Sequence, residues 1–488
     1  MDFAARVALL FALVASTLAV AAPDDLTTLL ARMRERSGPV WSTHLTSSSH
    51  VELGGEAADL HSESKGVAFA TYQCSGALCS GTYFDGERLF SININGTALP
   101  ESDGSDPFLR GERTVASLAF LDPAFTDDGG IIADEGTTTI AGVRYRELLV
   151  ENGDATAMDV FVDPKTATVR YMRDVNGDST FEYQDYRPVA RDLYLPFLVL
   201  RDGATIERYE TRGSTSDAFV PPHGLTPRMH GAPASVALDP TQTIPVFACT
   251  LQNVPTTCML DSGNSGLSIS LELAERLQAP KVGSFRVSGL GDYATDVVRA
   301  GALAVGSVTF PPANYVVLHD IHRFGYDVVL GADVLAATTV SLDPVTHRIS
   351  FAAPVPSGGV ALPLEFQNFV PTVLVQLGNL GTQLALDTGD ESNINLDYDF
   401  YQAHRSLFSA TGQRPVTGIG GSSVEVLGTI PQVRLGTLAT GEQSIGATRL
   451  LHATAYGHLG AGFLSHFHVV IDYAAGLVHF VPTPTPQP

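Results

Sequence analysis

The sequence predicts a mainly β protein in which an antiparallel sheet with a leading helix precedes two similar β lobes. Of the 488 residues, 44% are hydrophobic and only 17% are charged, and 46 are glycines. This composition is typical of a globular chain rich in strands and turns, and it argues against disorder. Short apolar runs separated by turn sequences indicate strands. A pattern that occurs twice in the second half indicates a duplicated lobe.

Residues 1–21 are predicted to form a secretory signal peptide. Arg6 supplies a positive charge, an apolar stretch runs from Val7 to Val20, and Ala19-Val20-Ala21 matches a small-x-small cleavage site. A membrane anchor is the alternative, but the apolar stretch is short for a spanning helix. We therefore expect an exported protein, periplasmic or secreted, with no stable membrane span after signal removal.

The charge of the chain restricts its partners. Twenty-nine Lys and Arg face 52 Asp and Glu, so the net charge is −23. Such an acidic surface argues against nucleic acid and anionic membranes as partners.

An N-terminal β-rich domain is predicted for residues 22–218. A helix signal covers Leu26 to Arg36, and strand-like runs such as Gly66 to Tyr72 and Met158 to Val162 follow. Turn sequences such as Asp163-Pro164-Lys165-Thr166 separate the runs. This pattern predicts an antiparallel sheet with one helix.

Part of this domain resembles a known family. The stretch from Val162-Asp163-Pro164-Lys165 through Tyr183-Gln184-Asp185-Tyr186-Arg187 to Leu195-Pro196 is similar to the half-barrel of periplasmic lipoprotein-carrier proteins. The resemblance implies a half-barrel-like sheet around the helix.

A Pro- and Gly-rich linker is predicted after this domain, followed by two lobes. The predicted boundaries are 219–236 for the linker, 237–355 for lobe 1, 361–482 for lobe 2 and 483–488 for a disordered tail.

The two lobes share an Asp-Ser/Thr-Gly turn. In lobe 1 the apolar run Cys258-Met259-Leu260 leads to Asp261-Ser262-Gly263, and in lobe 2 Leu384-Ala385-Leu386 leads to Asp387-Thr388-Gly389. A second apolar-Gly signal follows in each lobe, at Val328 to Gly331 and at His458 to Gly460. The matching order of these landmarks indicates a duplication.

Each repeat resembles the single lobe of a retropepsin-type aspartic peptidase, and the tandem resembles the two-lobed pepsin plan. The resemblance implies two tandem retropepsin-like β-barrel lobes that pair within one chain. It also implies one glycine-rich flap in each lobe. The candidate flap glycines are Gly289, Gly291, Gly418 and Gly420.

The resemblance assigns Asp261 and Asp387 to a catalytic dyad. Two carboxyl groups that share one site cannot both ionise easily, so one can donate a proton while the other activates water. In such families the residue after each Asp, here Ser262 and Thr388, holds the two turns together, and a glycine, here Gly263 and Gly389, relaxes each turn. An aspartic endopeptidase that acts on peptide or protein substrates, as a monomer and without a metal or other cofactor, is therefore expected.

The residues after the two glycines depart from the family pattern. Active relatives have a small residue there, whereas this chain has Asn264 in lobe 1 and Asp390 followed by Glu391 in lobe 2. Additional acids beside a dyad change its pKa or its geometry. A catalytically inactive protein that binds a peptide or a cell-envelope ligand is the alternative, as is pairing of each lobe with a lobe of another chain.

The four cysteines are predicted to form two disulfides. Cys74 lies close to Cys79 in sequence, and Cys249 and Cys258 flank a predicted hairpin turn. Both pairings suit an oxidising compartment. A zinc site is the alternative, but the spacings match no structural zinc pattern.

Other acidic and polar positions are interpreted as structural. Asp343 and Asp472 are expected to close turns, and Asp333, which is matched by Gly462 in lobe 2, is expected to make only local contacts. Asn95-Gly96-Thr97 fits a glycosylation acceptor sequence.

Overall fold

The fold is known from a computed structural model that describes residues 25–53, 56–105, 107–175, 179–190, 193–231, 233–449 and 455–483. The predicted signal peptide, and the predicted tail from residue 484 onward, lie outside these ranges. The protein is mainly β, as the sequence predicts. Within the described ranges, no helix combines the length and apolarity needed to cross a membrane.

Seven α-helices are described. They are α1 (Leu26–Ser37), α2 (Pro107–Ala116), α3 (Ala124–Asp127), α4 (Leu271–Arg276), α5 (Ala332–Ala337), α6 (Tyr398–Ala403) and α7 (Ala461–Leu464).

The strands up to the predicted linker fall into two groups, one before α2 and one after α3. The first six are β1 (His44–Leu53), β2 (Glu56–Lys65), β3 (Ala68–Ser75), β4 (Leu78–Phe84), β5 (Arg88–Ile92) and β6 (Ala98–Ser105). The next seven are β7 (Ile131–Ile140), β8 (Val143–Glu151), β9 (Ala157–Asp163), β10 (Thr168–Asp174), β11 (Thr180–Ala190), β12 (Leu193–Arg201) and β13 (Ala204–Thr215).

The remaining strands lie in and around the two predicted lobes. Those before residue 352 are β14 (Arg228–Met229), β15 (Ala234–Ala237), β16 (Val246–Leu251), β17 (Val254–Leu260), β18 (Leu267–Ser270), β19 (Lys281–Ser288), β20 (Asp292–Ala300), β21 (Leu303–Val305), β22 (Val308–Phe310), β23 (Ala313–Leu318), β24 (Val328–Leu330), β25 (Val340–Asp343) and β26 (Arg348–Phe351). Those after it are β27 (Val360–Pro363), β28 (Glu365–Gln367), β29 (Val370–Leu377), β30 (Leu380–Asp387), β31 (Ile394–Asp397), β32 (Ser409–Gly418), β33 (Gly421–Ile430), β34 (Val433–Leu435), β35 (Leu438–Ala439), β36 (Gln443–Thr448), β37 (Gly457–Gly460), β38 (Phe467–Asp472) and β39 (Leu477–Pro482).

The chain divides into two compact units. The first contains the described residues up to Leu45, together with Lys65–Val67 and Pro107–Asp217. The second contains Thr46–Ser64, Ala68–Asp106 and the described residues from Ala218 onward. The predicted domain boundaries stay predictions.

The first unit is an antiparallel meander with a helix. Strands β7 to β13 pair with their chain neighbours in order. In α1, Leu29, Leu30 and Met33 lie on one face at helical spacing, and all three are buried. They pack in one core cluster with strand residues such as Val160 and Met172. Burial of the apolar face of α1 therefore stabilises this unit.

The two lobes of the second unit have matching topologies. In lobe 1, β17 pairs in parallel with β24, which pairs antiparallel with β18, and β18 pairs in parallel with β23. In lobe 2, β30, β37, β31 and β36 repeat these pairings in the same order and sense. The lobes also share a six-stranded sheet, because β25 of lobe 1 pairs with β38 of lobe 2.

Two glycines allow the parallel strand pairs to pass close to the Asp turns. A Cβ atom at Gly331 would lie 2.2 Å from the carbonyl oxygen of Asn264, and one at Gly460 would lie 2.2 Å from the carbonyl oxygen of Ser392. Any other residue would push each strand away from its turn. The repeated apolar-Gly signal is thus a packing requirement of the duplicated site.

Candidate active site

The first Asp turn begins where β17 ends in the core. Leu260 is fully buried, and the backbone N–H of Asp261 donates to the carbonyl of Leu330, 2.9 Å away. The N–H of Gly263 then donates to Oδ1 of Asp261 at 2.8 Å. The strand and the turn together orient the Asp261 carboxyl group.

The second turn repeats this geometry. Asp387 is the last residue of β30 and pairs with Gly460 on β37. The N–H of Gly389 donates to Oδ1 of Asp387 at 3.0 Å. The carboxyl group of Asp387 is therefore oriented in the same way as that of Asp261.

Reciprocal hydrogen bonds join the two turns. Ser262 Oγ donates to the carbonyl of Leu386 at 2.5 Å, and Thr388 Oγ1 donates to the carbonyl of Leu260 at 2.8 Å. Each hydroxyl oxygen also accepts from the other residue's backbone N–H at 3.0 Å. Both side chains are buried, with exposures of 0% and 1%. Four buried hydrogen bonds therefore hold the two lobes in register at this point.

Each turn glycine faces the carboxyl group of the opposite lobe. A Cβ atom at Gly263 would lie 2.8 Å from Cγ of Asp387, and one at Gly389 would lie 2.5 Å from Cγ of Asp261. Asp261 and Asp387 are also hydrogen-bonded to each other through their side chains. The structure thus brings together all six residues predicted for the dyad and its support.

The environment of the pair favours protonation. Burial, then the charge and hydrogen bond of Asp387, hold the pKa of Asp261 well above its usual range. Burial also raises the pKa of Asp387, and the neighbouring charge of His458 works against that rise. The pair therefore binds protons more tightly than two isolated carboxyl groups.

His458 and Asp390 lie beside the dyad. His458 Nδ1 is 3.3 Å from Oδ2 of Asp387 and 3.6 Å from Oδ2 of Asp390. Burial alone would lower the pKa of His458, but Asp390, Asp387 and Asp261 together raise it to about 9. The imidazole is therefore positively charged at neutral pH, and four titratable side chains share this site.

The sequence analysis did not select His458, although a comparison of the two lobes contains a signal for it. His458 pairs with Ala385 just as Val329 of lobe 1 pairs with Met259. Val329 is buried, with an exposure of 2%. A basic residue at the position of a core valine marks a place where the lobes differ.

The two residues that depart from the family pattern make their side-chain contacts within their own lobes. Asn264 Nδ2 donates to Ser268 Oγ on β18 at 3.0 Å. Asp390 accepts from Ser392 N and Ser392 Oγ at 2.8 and 2.9 Å, and its other neighbour is His458. Glu391 is exposed. Among Asn264, Asp390 and Glu391, only Asp390 affects the pKa of a dyad carboxyl group.

The predicted flaps are two hairpins whose tips touch. Hairpin β19–β20 carries Gly289 and Gly291, and hairpin β32–β33 carries Gly418 and Gly420 at its tip. The N–H of Leu290 donates to the carbonyl of Ile419 at 2.8 Å.

These tips lie against residues of the dyad strands. The side chain of Ile419 packs against the cluster that includes Met259, Val329 and Ala461. The four flap glycines are therefore brought to one place near the dyad.

Both predicted disulfides are present. Cys74 is bonded to Cys79 across β3 and β4, and Cys249 is bonded to Cys258 across β16 and β17. The second bond lies on the strand that leads to Asp261. Among the described residues, no group of three or more His, Cys, Asp or Glu side chains is arranged to hold a metal ion.

The expectation for Asp333 was wrong. Its carboxylate accepts from Asn93 Nδ2 at 2.7 Å, Asn95 Nδ2 at 2.6 Å and Thr97 Oγ1 at 2.5 Å, so its partners are distant in sequence. Asp333 is fully buried on α5, two residues after Gly331. Burial raises its pKa, and the three donors work against that rise.

Asp343 and Asp472 close turns, as expected. Asp343 accepts from the N–H of Val345, and Asp472 accepts from the N–H of Ala475.

No protein-family model and no curated protein match this chain. Among solved structures, the chain is similar to a LolA superfamily protein from Nitrosomonas europaea, with 12% identity and a TM-score of 0.28, over 39% of this chain and 94% of that one. It is also similar to a retropepsin-like aspartic protease from Rickettsia conorii, with 15% identity and a TM-score of 0.21, over 26% of this chain and 93% of that one. Because the sequence identities and TM-scores are this low, neither similarity indicates a function for this chain. We therefore infer the function from the site itself.

Proposed function

We propose that this protein is an exported aspartic-type endopeptidase that hydrolyses peptide bonds with Asp261, Asp387 and an activated water. The observation that carries the proposal is the hydrogen-bonded pair of carboxyl groups on turns joined by Ser262 and Thr388. The two disulfides support export, because such bonds persist in oxidising compartments.

The chemistry follows from one shared proton. The ionised member of the dyad takes a proton from water, whose oxygen then attacks the carbonyl carbon of the scissile bond. The protonated member donates its proton to the carbonyl oxygen, which produces a tetrahedral diol. Collapse of the diol breaks the C–N bond, the amine leaves with a proton from the dyad, and the other carboxyl group regains its own.

The flap hairpins would cover the substrate. A peptide between the dyad and the tips at Leu290 and Ile419 would be shielded from water, which strengthens electrostatic contacts in the site. Both lobes of one chain form the dyad, so a monomer is sufficient for this activity.

Asparagine substitutions test the proposal. D261N and D387N should each reduce kcat/KM for peptide cleavage by about 10²–10⁴-fold, because each removes one proton-transfer group while keeping its shape. A diverse peptide pool, incubated with the purified protein at several pH values and read by mass spectrometry, would first identify cleavable substrates.

D343N is the matched control, since Asp343 closes a turn outside the dyad. A transition-state-analogue inhibitor of aspartic peptidases should also block cleavage. Full activity in either dyad variant would rule out the proposed mechanism.

A protein that binds peptide or cell-envelope ligands without cleaving them is the second candidate. It is favoured by the contact of His458 Nδ1 with Oδ2 of Asp387, which could withhold that oxygen from water. In that case the wild-type protein would bind peptides in a calorimetric titration but cleave none at any pH, and D387N would leave affinity nearly unchanged.

In the first unit, a cavity of about 20 Å³ lies beside α1, lined by residues that include Met33, Val169 and Tyr186. It has room for about one water molecule.

A further inference from the structure

We propose that His458, held by Asp390, makes the dyad asymmetric, so that Asp387 is the carboxylate that deprotonates water and Asp261 is the carboxylic acid that protonates the substrate. This inference rests on the proposed peptidase function and names the role of each dyad member. His458 is a positioning residue in this proposal, because it acts through Asp387.

Geometry is the first argument. The strand pairings around the dyad are the same in both lobes, but His458 occupies the lobe 2 position where lobe 1 has Val329. Its Nδ1 atom lies 3.3 Å from Oδ2 of Asp387. A cation at this distance stabilises a negative charge on Asp387 directly.

Asp390 keeps the imidazole charged and in place. Its carboxylate is fixed by two hydrogen bonds from Ser392 and lies 3.6 Å from His458 Nδ1. Because Asp390 receives this separate support, it remains ionised, and its pKa is lowered by His458 and Ser392 against the effect of burial. One imidazolium between two carboxylates gives this side of the site a net charge of about −1, by the count of these three groups.

The surroundings of Asp261 differ. Besides Asp387 and the more distant charge of His458, the groups that sense its charge are the phenols of Tyr326 and Tyr473. Burial first, and then the charge of Asp261, raise the pKa of both phenols, so they are neutral and supply no cation. Glu391, on the lobe 2 turn, adds only negative charge near Tyr326.

The two environments together fix the direction of proton transfer. Because the cation lies beside Asp387, the shared proton is carried by Asp261. The water would therefore lose its proton to Asp387 as the C–O bond forms. Asp261 would give its proton to the carbonyl oxygen and take it back when the C–N bond breaks, while Asp387 passes the water's proton to the departing amine.

The pH dependence of cleavage is the first test. In H458V, which copies the lobe 1 residue, the acidic limb of kcat/KM should move to higher pH by about 1–3 units, because Asp387 loses its cation. D390N should not move the acidic limb to higher pH, because His458 keeps its charge at acid pH and the charge of Asp390 itself raises the pKa of Asp387. H479Q is the control, because His479 lies on β39 outside the dyad. This variant should leave both limbs unchanged. An unshifted acidic limb in H458V would overturn the inference.

The second test does not need activity. Imidazole NMR of the full chain should show His458 titrating near pH 9. D387N and D390N should each lower that pKa, and D387N should lower it more than D261N does. Titration of His458 near its ordinary value, or an equal effect of D261N and D387N, would contradict the assignment. If no peptide is cleaved under any condition, the proposed function fails, and the NMR titration still decides whether the charge lies on Asp387.

Discussion

At the scale of single residues, the site contains side chains that hold the dyad and side chains that set its charge. Ser262 and Thr388 hold the two turns together, since the hydroxyl group of each makes hydrogen bonds with backbone atoms of the opposite lobe. His458 and Asp390 are charged and contact Asp387 or each other. Both kinds are needed, because a pair of buried carboxyl groups is costly unless it is fixed and partly neutralised.

The charge of His458 predicts how stability depends on pH. Its pKa is about 9 in the folded protein against 6.5 for an ordinary histidine, so its contribution is complete below about pH 6.5 and disappears as the pH rises through 9. The free energy of unfolding should fall by a few kcal/mol across that range, at about 1.36 kcal/mol for each unit of pKa difference.

Urea denaturation at a series of pH values would measure this fall. In H458V the slope between pH 6.5 and 9 should be much smaller, whereas H479Q should behave like the wild type. The raised pKa values of Asp261 and Asp387 also favour the folded state at low pH, so they act in the same direction. Equal slopes in wild type and H458V would mean that His458 is not the group responsible.

At the scale of elements, the two flap hairpins are in contact through glycine backbone. A Cβ atom at Gly420 would lie 2.2 Å from the carbonyl oxygen of Gly291, and one at Gly291 would lie 2.1 Å from that of Gly420. Gly420 also has a φ of +81°, which L-residues rarely adopt. The glycines of the flaps are therefore required for the two tips to approach each other.

Substitution of Gly420 should impair flap contact more than folding. We expect G420A to lower kcat/KM for peptide cleavage by about tenfold or more, because misplacement of substrate-covering groups reduces catalysis. The thermal midpoint should change by only a few degrees, since the tips contribute little to the core.

Gly412 provides a control within the same hairpin. An added Cβ there meets no atom within 4 Å. G412A should therefore retain wild-type activity and stability. If G420A were as active as G412A, contact between the flaps would have no role in cleavage.

At the scale of the whole molecule, the segment 68–105 is part of the unit that carries the dyad. Leu99 is buried in the core cluster of the lobes, with an exposure of 5%. The turn that contains Asn93, Asn95 and Thr97 binds the buried carboxylate of Asp333. Asn93 also donates to the carbonyl of Ser265, next to the first Asp turn. This segment thus supports the scaffold of the candidate site.

Loss of the Asp333 carboxylate should destabilise this unit strongly. D333A removes the acceptor of three hydrogen bonds, from Asn93, Asn95 and Thr97, and each N–H or O–H group left unpaired costs about 1–3 kcal/mol. Chemical denaturation of the full chain should therefore show that the free energy of unfolding falls by at least about 3 kcal/mol. D343A, which removes an acid from an exposed turn, should cost about 1 kcal/mol or less. Similar losses in both variants would show that the hydrogen bonds to Asp333 do not contribute more to stability than an exposed turn does.

The sequence could predict features that depend on near neighbours or on repetition. The Asp turns, the flap glycines and the two disulfides are short patterns whose chemistry can be read locally, and duplication showed which of them correspond. His458 was missed because its role arises only when β37 lies beside β30. Asp333 was misread because its partners come from a turn about 240 residues away.

The sequence by itself therefore determined the mainly β class, the duplicated lobe and the two carboxyl groups of the candidate dyad, because strand periodicity and turn chemistry are local properties. Only the tertiary structure decided which charges surround that dyad and which distant segment supports it. The physical reason is that electrostatic and hydrogen-bonding environments depend on distances of a few ångströms between side chains that the chain order keeps far apart.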